Sequence, residues 1–143
     1  MLRYICNDCG FDTGNLDTYL VYRKKGKIIE TPYVDNPSLF MEHDMSDLKG
    51  YVHFSYCEEC NKLIKIYTGY WYGDRNENFD KEKNNAEIKE YMKHKRPRNT
   101  IKTFMEHVDY ENLHCPKCNN KVSKVKKCLK CGSTNLFEEW ILD

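Results

Sequence analysis

The sequence predicts a small α+β protein in which two β modules are joined by a short helical segment. Three observations lead to this fold class. The 143 residues suit one ordinary domain or two small ones. Charged residues make up 31% of the chain, and the 40% counted as hydrophobic include eleven tyrosines, so a large aliphatic core is difficult to build. The eight cysteines form four C-x-x-C pairs, numbered here in chain order: Cys6 and Cys9, Cys57 and Cys60, Cys115 and Cys118, Cys128 and Cys131.

The cysteines are predicted to bind metal ions rather than to form disulfides. The N-terminus lacks the apolar region of a secretory signal, and no stretch approaches the ~18 apolar residues of a membrane span. We therefore expect a cytoplasmic protein with no membrane contact. Disulfides belong to oxidising compartments, whereas paired C-x-x-C spacing in a reduced protein indicates zinc held by four thiolates. The sequence thus predicts a metal-stabilised fold with two Zn²⁺ ions per chain.

The four pairs can be combined into two four-thiolate sites in three ways. Only nine residues separate the third pair from the fourth, and a short loop closes at low entropic cost. We therefore predict sequential sites, in which the first and second pairs form site 1 and the third and fourth pairs form site 2. An interleaved arrangement, with the first pair joined to the third and the second to the fourth, is the alternative.

Residues 1–75 are predicted to form an N-terminal zinc-binding β module with an inserted hairpin. The 47 residues between the first and second pairs are too many for a plain loop, so they should contain the hairpin. Gly10 suits a turn that needs positive φ after the first pair. Pro37 indicates the start of a short helix. The strands of this module are predicted at residues 2–5, 18–23, 28–33, 51–56 and 62–72.

The predicted sheet around the second cysteine pair is rich in aromatic side chains. The simpler interpretation is that these rings form its core in place of aliphatic residues. The alternative is a surface on which nucleic-acid bases stack. The residues concerned are Tyr56, Tyr67, Tyr70, Trp71 and Tyr72.

Residues 76–110 are predicted to be a charged linker with short helices. The stretch 73–85 is polar and without periodicity, which indicates a loop and a module boundary. Helical spacing predicts one helix over 86–95, which Pro97 ends. A second helix is predicted after it, although the alternation of the same residues also fits a strand. Its apolar stripe at i, i+3, i+4 and i+7 consists of Ile101, Phe104, Met105 and Val108.

Residues 111–143 are predicted to form a compact β hairpin, with strands at 121–126 and 136–142. The segments Cys115-Pro-Lys-Cys118 and Cys128-Leu-Lys-Cys131-Gly-Ser, with a basic hairpin between them, resemble the zinc-ribbon families. Cys6-Asn-Asp-Cys9-Gly10-Phe11 is similar to a rubredoxin knuckle. The resemblance implies that both β modules are of zinc-ribbon type and that 111–143 is a C-terminal zinc ribbon. The second pair is followed by Asn61 and lacks the C-P-x-C-G pattern of rubredoxins, which argues for zinc over iron.

The charge of the chain is distributed unevenly. Residues 1–80 carry a net charge of −4, residues 81–131 of +8 and residues 132–143 of −3. Lysines on a rigid metal-clamped frame are suited to the phosphate backbone of nucleic acid. We therefore expect a non-enzymatic zinc-binding protein that binds nucleic acid through its basic C-terminal ribbon. The residues expected to take part are Lys117, Lys121, Lys124, Lys126, Lys127, Lys130, Arg96 and Arg98.

Two other functions stay open as alternatives. The acidic N-terminal part and the basic C-terminal part suit a protein–protein interaction or adaptor module. A rubredoxin-like redox role is the less favoured alternative. No catalytic residues are predicted, because four thiolates at each metal leave no open position for a substrate. His114, beside the third pair, is expected to flank the metal rather than to bind it.

Overall fold

The fold is described from a computed structural model, in which residues 2–33, 37–69, 79–95 and 100–140 are described. The elements in chain order are β1 (Leu2–Cys6), β2 (Tyr19–Lys24), β3 (Lys27–Pro32), α1 (Pro37–Met45), β4 (Lys49–Cys57), β5 (Lys62–Gly69), α2 (Lys81–His94), β6 (Thr100–Met105) and β7 (Leu136–Trp140).

The strands of the described residues form one sheet of five and one sheet of two. The larger sheet has the order β3-β2-β4-β5-β6, and all of its pairs are antiparallel except β5 with β6, which is parallel. In the smaller sheet β1 pairs antiparallel with β7, so that Leu2 lies opposite Trp140 and Cys6 opposite Leu136. The small sheet therefore joins the two ends of the described chain.

The predicted strands of the N-terminal part and the short helix after Asn36 are confirmed, with shifted ends. Residues 70–72 of the predicted strand 62–72 lie outside the described residues. The predicted strand over 121–126 is wrong. In its place Lys121 and Ser123 make isolated bridges, to His114 and to Tyr56. The closing strand is confirmed as β7 over 136–140, and its last two predicted residues lie outside the described part of the chain.

The region between the predicted modules is more regular than a linker. Helix α2 begins at Lys81, five residues before the predicted start, because the side chain of Asp80 accepts the Lys83 N–H at 3.0 Å and caps the helix. The predicted second helix is wrong, and the strand alternative is confirmed for residues 100–105, which form β6. Parallel strands need a crossover connection, and α2 lies between β5 and β6 in the chain. Pairing with β5 has thus overridden the helical spacing of the apolar residues.

Strand β5 is buried on both faces of the large sheet. On one face Tyr67 packs with Val52 and with Ile88 of helix α2. On the other face Ile64 and Ile66 pack with residues of the segment after β6. A strand covered on both sides carries a nearly continuous apolar run rather than an alternating one, as β5 does.

The aromatic core predicted for this sheet is confirmed where the structure describes it. Tyr56 is 1% exposed and Tyr67 is 0% exposed, so neither ring offers a face to a base. The other three rings of that prediction, Tyr70, Trp71 and Tyr72, lie outside the described residues.

These elements make a small α+β fold with two helices and two sheets in the described residues. The division into 1–75, 76–110 and 111–143 stays a prediction. Two contacts cross its boundaries, because β1 pairs with β7 and α2 packs on the core of the large sheet. Neither described helix is long and apolar enough to cross a membrane.

Candidate metal centres

Each cysteine pair lies on a tight turn, called here a knuckle and numbered like its pair. In all four knuckles the residue after the second cysteine has a positive φ. Glycine adopts this left-handed conformation without steric cost, and asparagine tolerates it better than most residues. The prediction for Gly10 is confirmed and extends to every knuckle: the φ angles are 78° for Gly10, 48° for Asn61, 65° for Asn119 and 77° for Gly132.

Three knuckles share one pattern of backbone hydrogen bonds. The N–H of the first cysteine donates to the carbonyl of the residue five positions later. The carbonyl of the same cysteine accepts the N–H of the residue four positions later. In the first knuckle these are Cys6 N–H to Phe11 O at 2.8 Å and Gly10 N–H to Cys6 O at 2.9 Å. The second knuckle is instead the tip of the β4–β5 hairpin, where Cys57 lies opposite Lys62. Both turns hold the two sulfurs of a pair close together.

The four pairs assemble into two groups, and the sulfurs of each group lie within 4.8 Å of one another. The groups are nested in the sequence. The outer group joins the first and fourth pairs, and the inner group joins the second and third. The outer group consists of Cys6, Cys9, Cys128 and Cys131, and the inner group of Cys57, Cys60, Cys115 and Cys118.

The predicted sequential sites 1 and 2 are therefore wrong, and the interleaved alternative is wrong as well. The short loop between the third and fourth pairs favours the sequential grouping over the nested grouping by only about 2 kcal/mol. The difference is small because the entropic cost of closing a loop grows logarithmically with its length. Strand pairing outweighs this difference. Cys6 ends β1 opposite the first residue of β7, and the Asn7 N–H donates to the Asn135 carbonyl at 2.9 Å. These contacts bring the fourth knuckle to the first.

Each group has the dimensions of a tetrahedral thiolate site. Metal–sulfur bonds of ~2.3 Å place the corners of a tetrahedron about 3.8 Å apart, whereas a disulfide joins sulfurs at ~2.05 Å. All eight cysteines are free thiols. The sulfur–sulfur distances are 3.6 Å for Cys6–Cys131, 3.5 Å for Cys9–Cys128, 3.3 Å for Cys57–Cys118 and 4.0 Å for Cys60–Cys115.

One sulfur in each group is poised to ionise near neutral pH. In the inner group the backbone N–H of Asn120 lowers the pKa of Cys118 to about 7. In the outer group burial opposes the ionisation of Cys128, but N–H groups of Cys131 and Lys130, each 3.4 Å from its sulfur, bring its pKa to about 7. Thiolates are the form that binds metals. Each group therefore contains one sulfur whose pKa allows the thiolate form at neutral pH.

The histidine expected to flank the metal forms a hydrogen bond with the backbone. His114 is exposed, and its Nδ1 donates to the Asn112 carbonyl at 2.8 Å. No histidine of the described residues belongs to either cysteine group. The structure therefore brings together thiols alone as candidate ligands.

The six lysines predicted to contact nucleic acid lie on the third and fourth knuckles and on the segment between them. Lys127 is half-buried, and Lys126 forms an ion pair with Glu58 at 3.2 Å. Arg96 and Arg98 lie outside the described residues. The exposed lysines are Lys117, Lys121, Lys124, Lys126 and Lys130.

Sequence reasoning missed the side-chain role of Asn61, the positive-φ residue of the second knuckle. Its Oδ1 accepts the Tyr56 hydroxyl at 2.6 Å, and its Nδ2 donates to the Cys128 carbonyl at 3.0 Å. Asn61 thus links the inner knuckle in which it lies to a cysteine of the outer group. The asparagine in place of the glycine found at the first and fourth knuckles was the available signal.

Comparison of the chain with protein-family models, with curated proteins and with solved structures found no match. The fold and the two cysteine groups therefore define the class by themselves. This is a small α+β protein with two four-cysteine groups, each of which could hold a metal ion.

Proposed function

We propose that this protein is a non-enzymatic, zinc-binding cytoplasmic protein that holds two structural Zn²⁺ ions and binds nucleic acid through its basic surface. The observation that carries the metal part is the assembly of all eight cysteines into two compact four-sulfur groups. The nucleic-acid part rests on the exposed lysines around the third and fourth knuckles.

Zinc is the metal that suits these groups best. Soft thiolate ligands in a tetrahedral set of four select zinc or an iron–sulfur centre, and structural zinc sites use this ligand set. Metal analysis of protein purified without added metal should find two zinc ions per chain. One zinc or none would refute the two-site proposal, and iron in place of zinc would favour the redox alternative.

A structural role follows from the closed ligand sets. A catalytic zinc keeps one coordination position for water or substrate, but four cysteine sulfurs fill all four positions of each tetrahedron. The ions would therefore hold the knuckles together. Structural zinc sites contribute directly to folding free energy, which suits a chain whose aliphatic core is small.

Nucleic acid is the favoured partner because of the exposed positive charge. Between Cys115 and Cys131 the chain carries six lysines and no acidic residue, and five of these lysines are exposed. Lysine supplies a point charge that suits a phosphate but not the forked contacts that read bases. The proposed contact is with the backbone, with little sequence preference.

The test is binding of random-sequence DNA and RNA across a salt series. A variant with Lys117, Lys121, Lys124 and Lys130 changed to glutamine should bind about tenfold or more weakly and show a shallower salt dependence, because fewer phosphate contacts release fewer counterions. The matched control changes four exposed lysines elsewhere, with the same loss of charge. Equal losses in both variants, or no binding at low salt, would refute the proposal. The control lysines are Lys25, Lys27, Lys83 and Lys93.

A second candidate function is protein interaction through helix α1. Phe40, Met41 and Met45 are 48%, 60% and 80% exposed, and Tyr33 beside them is 47% exposed. Neighbouring exposed apolar side chains of this size mark interaction surfaces. If Met41→Glu abolishes a specific protein complex that the four-lysine variant keeps, and nucleic acid is not bound at low salt, this second function replaces the first.

A further inference from the structure

The two cysteine groups are joined by a continuous chain of contacts that starts at the second knuckle. Asn61 follows directly after Cys60 of the inner group, and its backbone N–H donates to the Glu58 carbonyl within that knuckle at 3.2 Å. Its side-chain amide leaves the knuckle and donates to the Cys128 carbonyl of the outer group at 3.0 Å. Asn61 thus connects the two cysteine groups directly.

The carbonyl that Asn61 reaches also closes the fourth knuckle. Cys128 O accepts the Gly132 N–H at 2.9 Å, and a carbonyl oxygen has two lone pairs for two donors. A second hydrogen bond fixes the side chain of Asn61, because its Oδ1 accepts the hydroxyl hydrogen of Tyr56 at 2.6 Å. Tyr56 precedes Cys57 of the inner group. These hydrogen bonds therefore link the conformation of the second knuckle to that of the turn that carries Cys128.

An apolar cluster lies along the same path. Tyr56 and Leu63, on either side of the second knuckle, pack with Leu129, which lies inside the fourth knuckle. All three are less than 9% exposed. Packed side chains in a dense interior move together rather than independently. If the second knuckle is disordered, the fourth knuckle therefore loses these contacts.

We propose that Asn61 couples the two metal sites. A metal ion bound by the inner group raises the affinity of the outer group for its own metal ion, and a metal ion in the outer group does the same for the inner group. A metal ion in the inner group fixes the second knuckle and with it the Asn61 amide. The outer group then no longer bears the entropic cost of ordering that contact. Coupling between two binding sites is reciprocal, and couplings of this kind change affinities by about 5- to 150-fold. The inference rests on the metal-binding part of the proposed function and not on nucleic-acid binding.

The test is a titration of metal-free, reduced full-length protein with Zn²⁺, followed by native mass spectrometry. For two equal and independent sites, about half of the molecules carry a single metal at half saturation. The coupled wild-type protein should show far fewer single-metal molecules. Asn61→Gly keeps a residue that tolerates positive φ but removes the side-chain amide. Single-metal molecules of this variant should therefore accumulate, and its weaker site should bind Zn²⁺ about tenfold less tightly than in the wild type.

Asn119 provides the matched control. It occupies the equivalent position of the third knuckle, in the same inner group and with positive φ, but it is exposed. Asn119→Gly should therefore load two metals as the wild type does. Independent loading in the wild type, or identical loading in the Asn61→Gly and wild-type proteins, would overturn the coupling role while leaving two metal sites in place. A wild-type protein that binds no metal would refute the proposed function itself.

Discussion

The side chain of Asn84 holds the backbone of Lys49 by two hydrogen bonds of 2.8 Å, one from the Lys49 N–H to Oδ1 and one from Nδ2 to the Lys49 carbonyl. Through this side chain, helix α2 forms hydrogen bonds with the backbone at the start of β4, as a neighbouring strand would. Asn84 is 3% exposed, so its truncation would leave the N–H and the carbonyl of Lys49 without their side-chain partner. Asn84→Ala should lower the free energy of unfolding by about 2–3 kcal/mol, measured by urea denaturation of the zinc-loaded protein.

The helix propensity of alanine works against that loss, since alanine is the better helix former. Lys93→Ala, at an exposed position of the same helix, is the control and should change stability by less than ~0.5 kcal/mol. If both variants show the same stability, the Asn84 contact does not anchor α2.

Gly50 on β4 lies opposite Gly69 on β5, and α2 packs against this pair. A Cβ at Gly50 would collide with the Cδ1 atom of Ile88 and would lie 2.7 Å from the Thr68 carbonyl oxygen. Gly50→Ala should therefore destabilise the protein by about 1–3 kcal/mol. The measurement is again the urea midpoint at constant zinc.

A double-mutant cycle checks the cause of this effect. Ile88→Val removes the Cδ1 atom that the new Cβ would meet, so the double variant should lose less than the sum of the single losses. Rescue should be partial because the Thr68 carbonyl stays in place. Additive losses would show that the collision with Ile88 is not the cause.

The nested grouping of the cysteines predicts metal content in two double variants. Cys9→Ser with Cys131→Ser removes two sulfurs from the outer group alone, so one zinc should remain. Cys118→Ser with Cys131→Ser damages both groups, so no complete site should remain. Sequential sites would reverse these two results. Zinc is measured after dialysis against a weak chelator, with both double variants handled in parallel.

His43 predicts a pH dependence of stability. It is 2% exposed and lies against Tyr22 and Tyr51. Burial lowers its pKa, the contact with the Gly50 carbonyl opposes this shift, and the charge of Lys49 adds to it. Below its usual value of about 6.5, the unfolded chain takes up a proton that the folded chain does not. The contribution of His43 is therefore full above pH 6.5 and is lost as the pH falls toward the lowered pKa.

The urea midpoint of the zinc-loaded wild type should decline below pH 6.5 more steeply than that of His43→Gln. Protonation of the cysteines affects both proteins alike, so the difference between them reports His43. An NMR titration of the folded wild type checks the same point directly. An imidazole pKa of 6.5 or above for His43 would contradict the prediction.

The candidate metal ligands could be predicted from the sequence because their signals are local. A C-x-x-C pair followed by Gly10 or Gly132 specifies a turn within six residues, and β-forming residues around the second pair specify a hairpin. Helix α2 was only partly predicted. Its start depends on the Asp80 cap, which the polar composition of 73–85 concealed, and its course depends on Asn84, whose partner lies 35 residues earlier.

The sequence by itself determined that eight cysteines form four turns that could supply metal ligands in a small α+β protein. Only the tertiary structure decided which turns come together in one four-cysteine group and that residues 100–105 form a strand. The reason is that turns depend on neighbours in the chain, whereas grouping depends on contacts such as Leu2 with Trp140 and Asn61 with Cys128. Loop-closure entropy, the one term a sequence supplies for such a choice, varies too slowly with length to outweigh strand pairing and a shared apolar cluster.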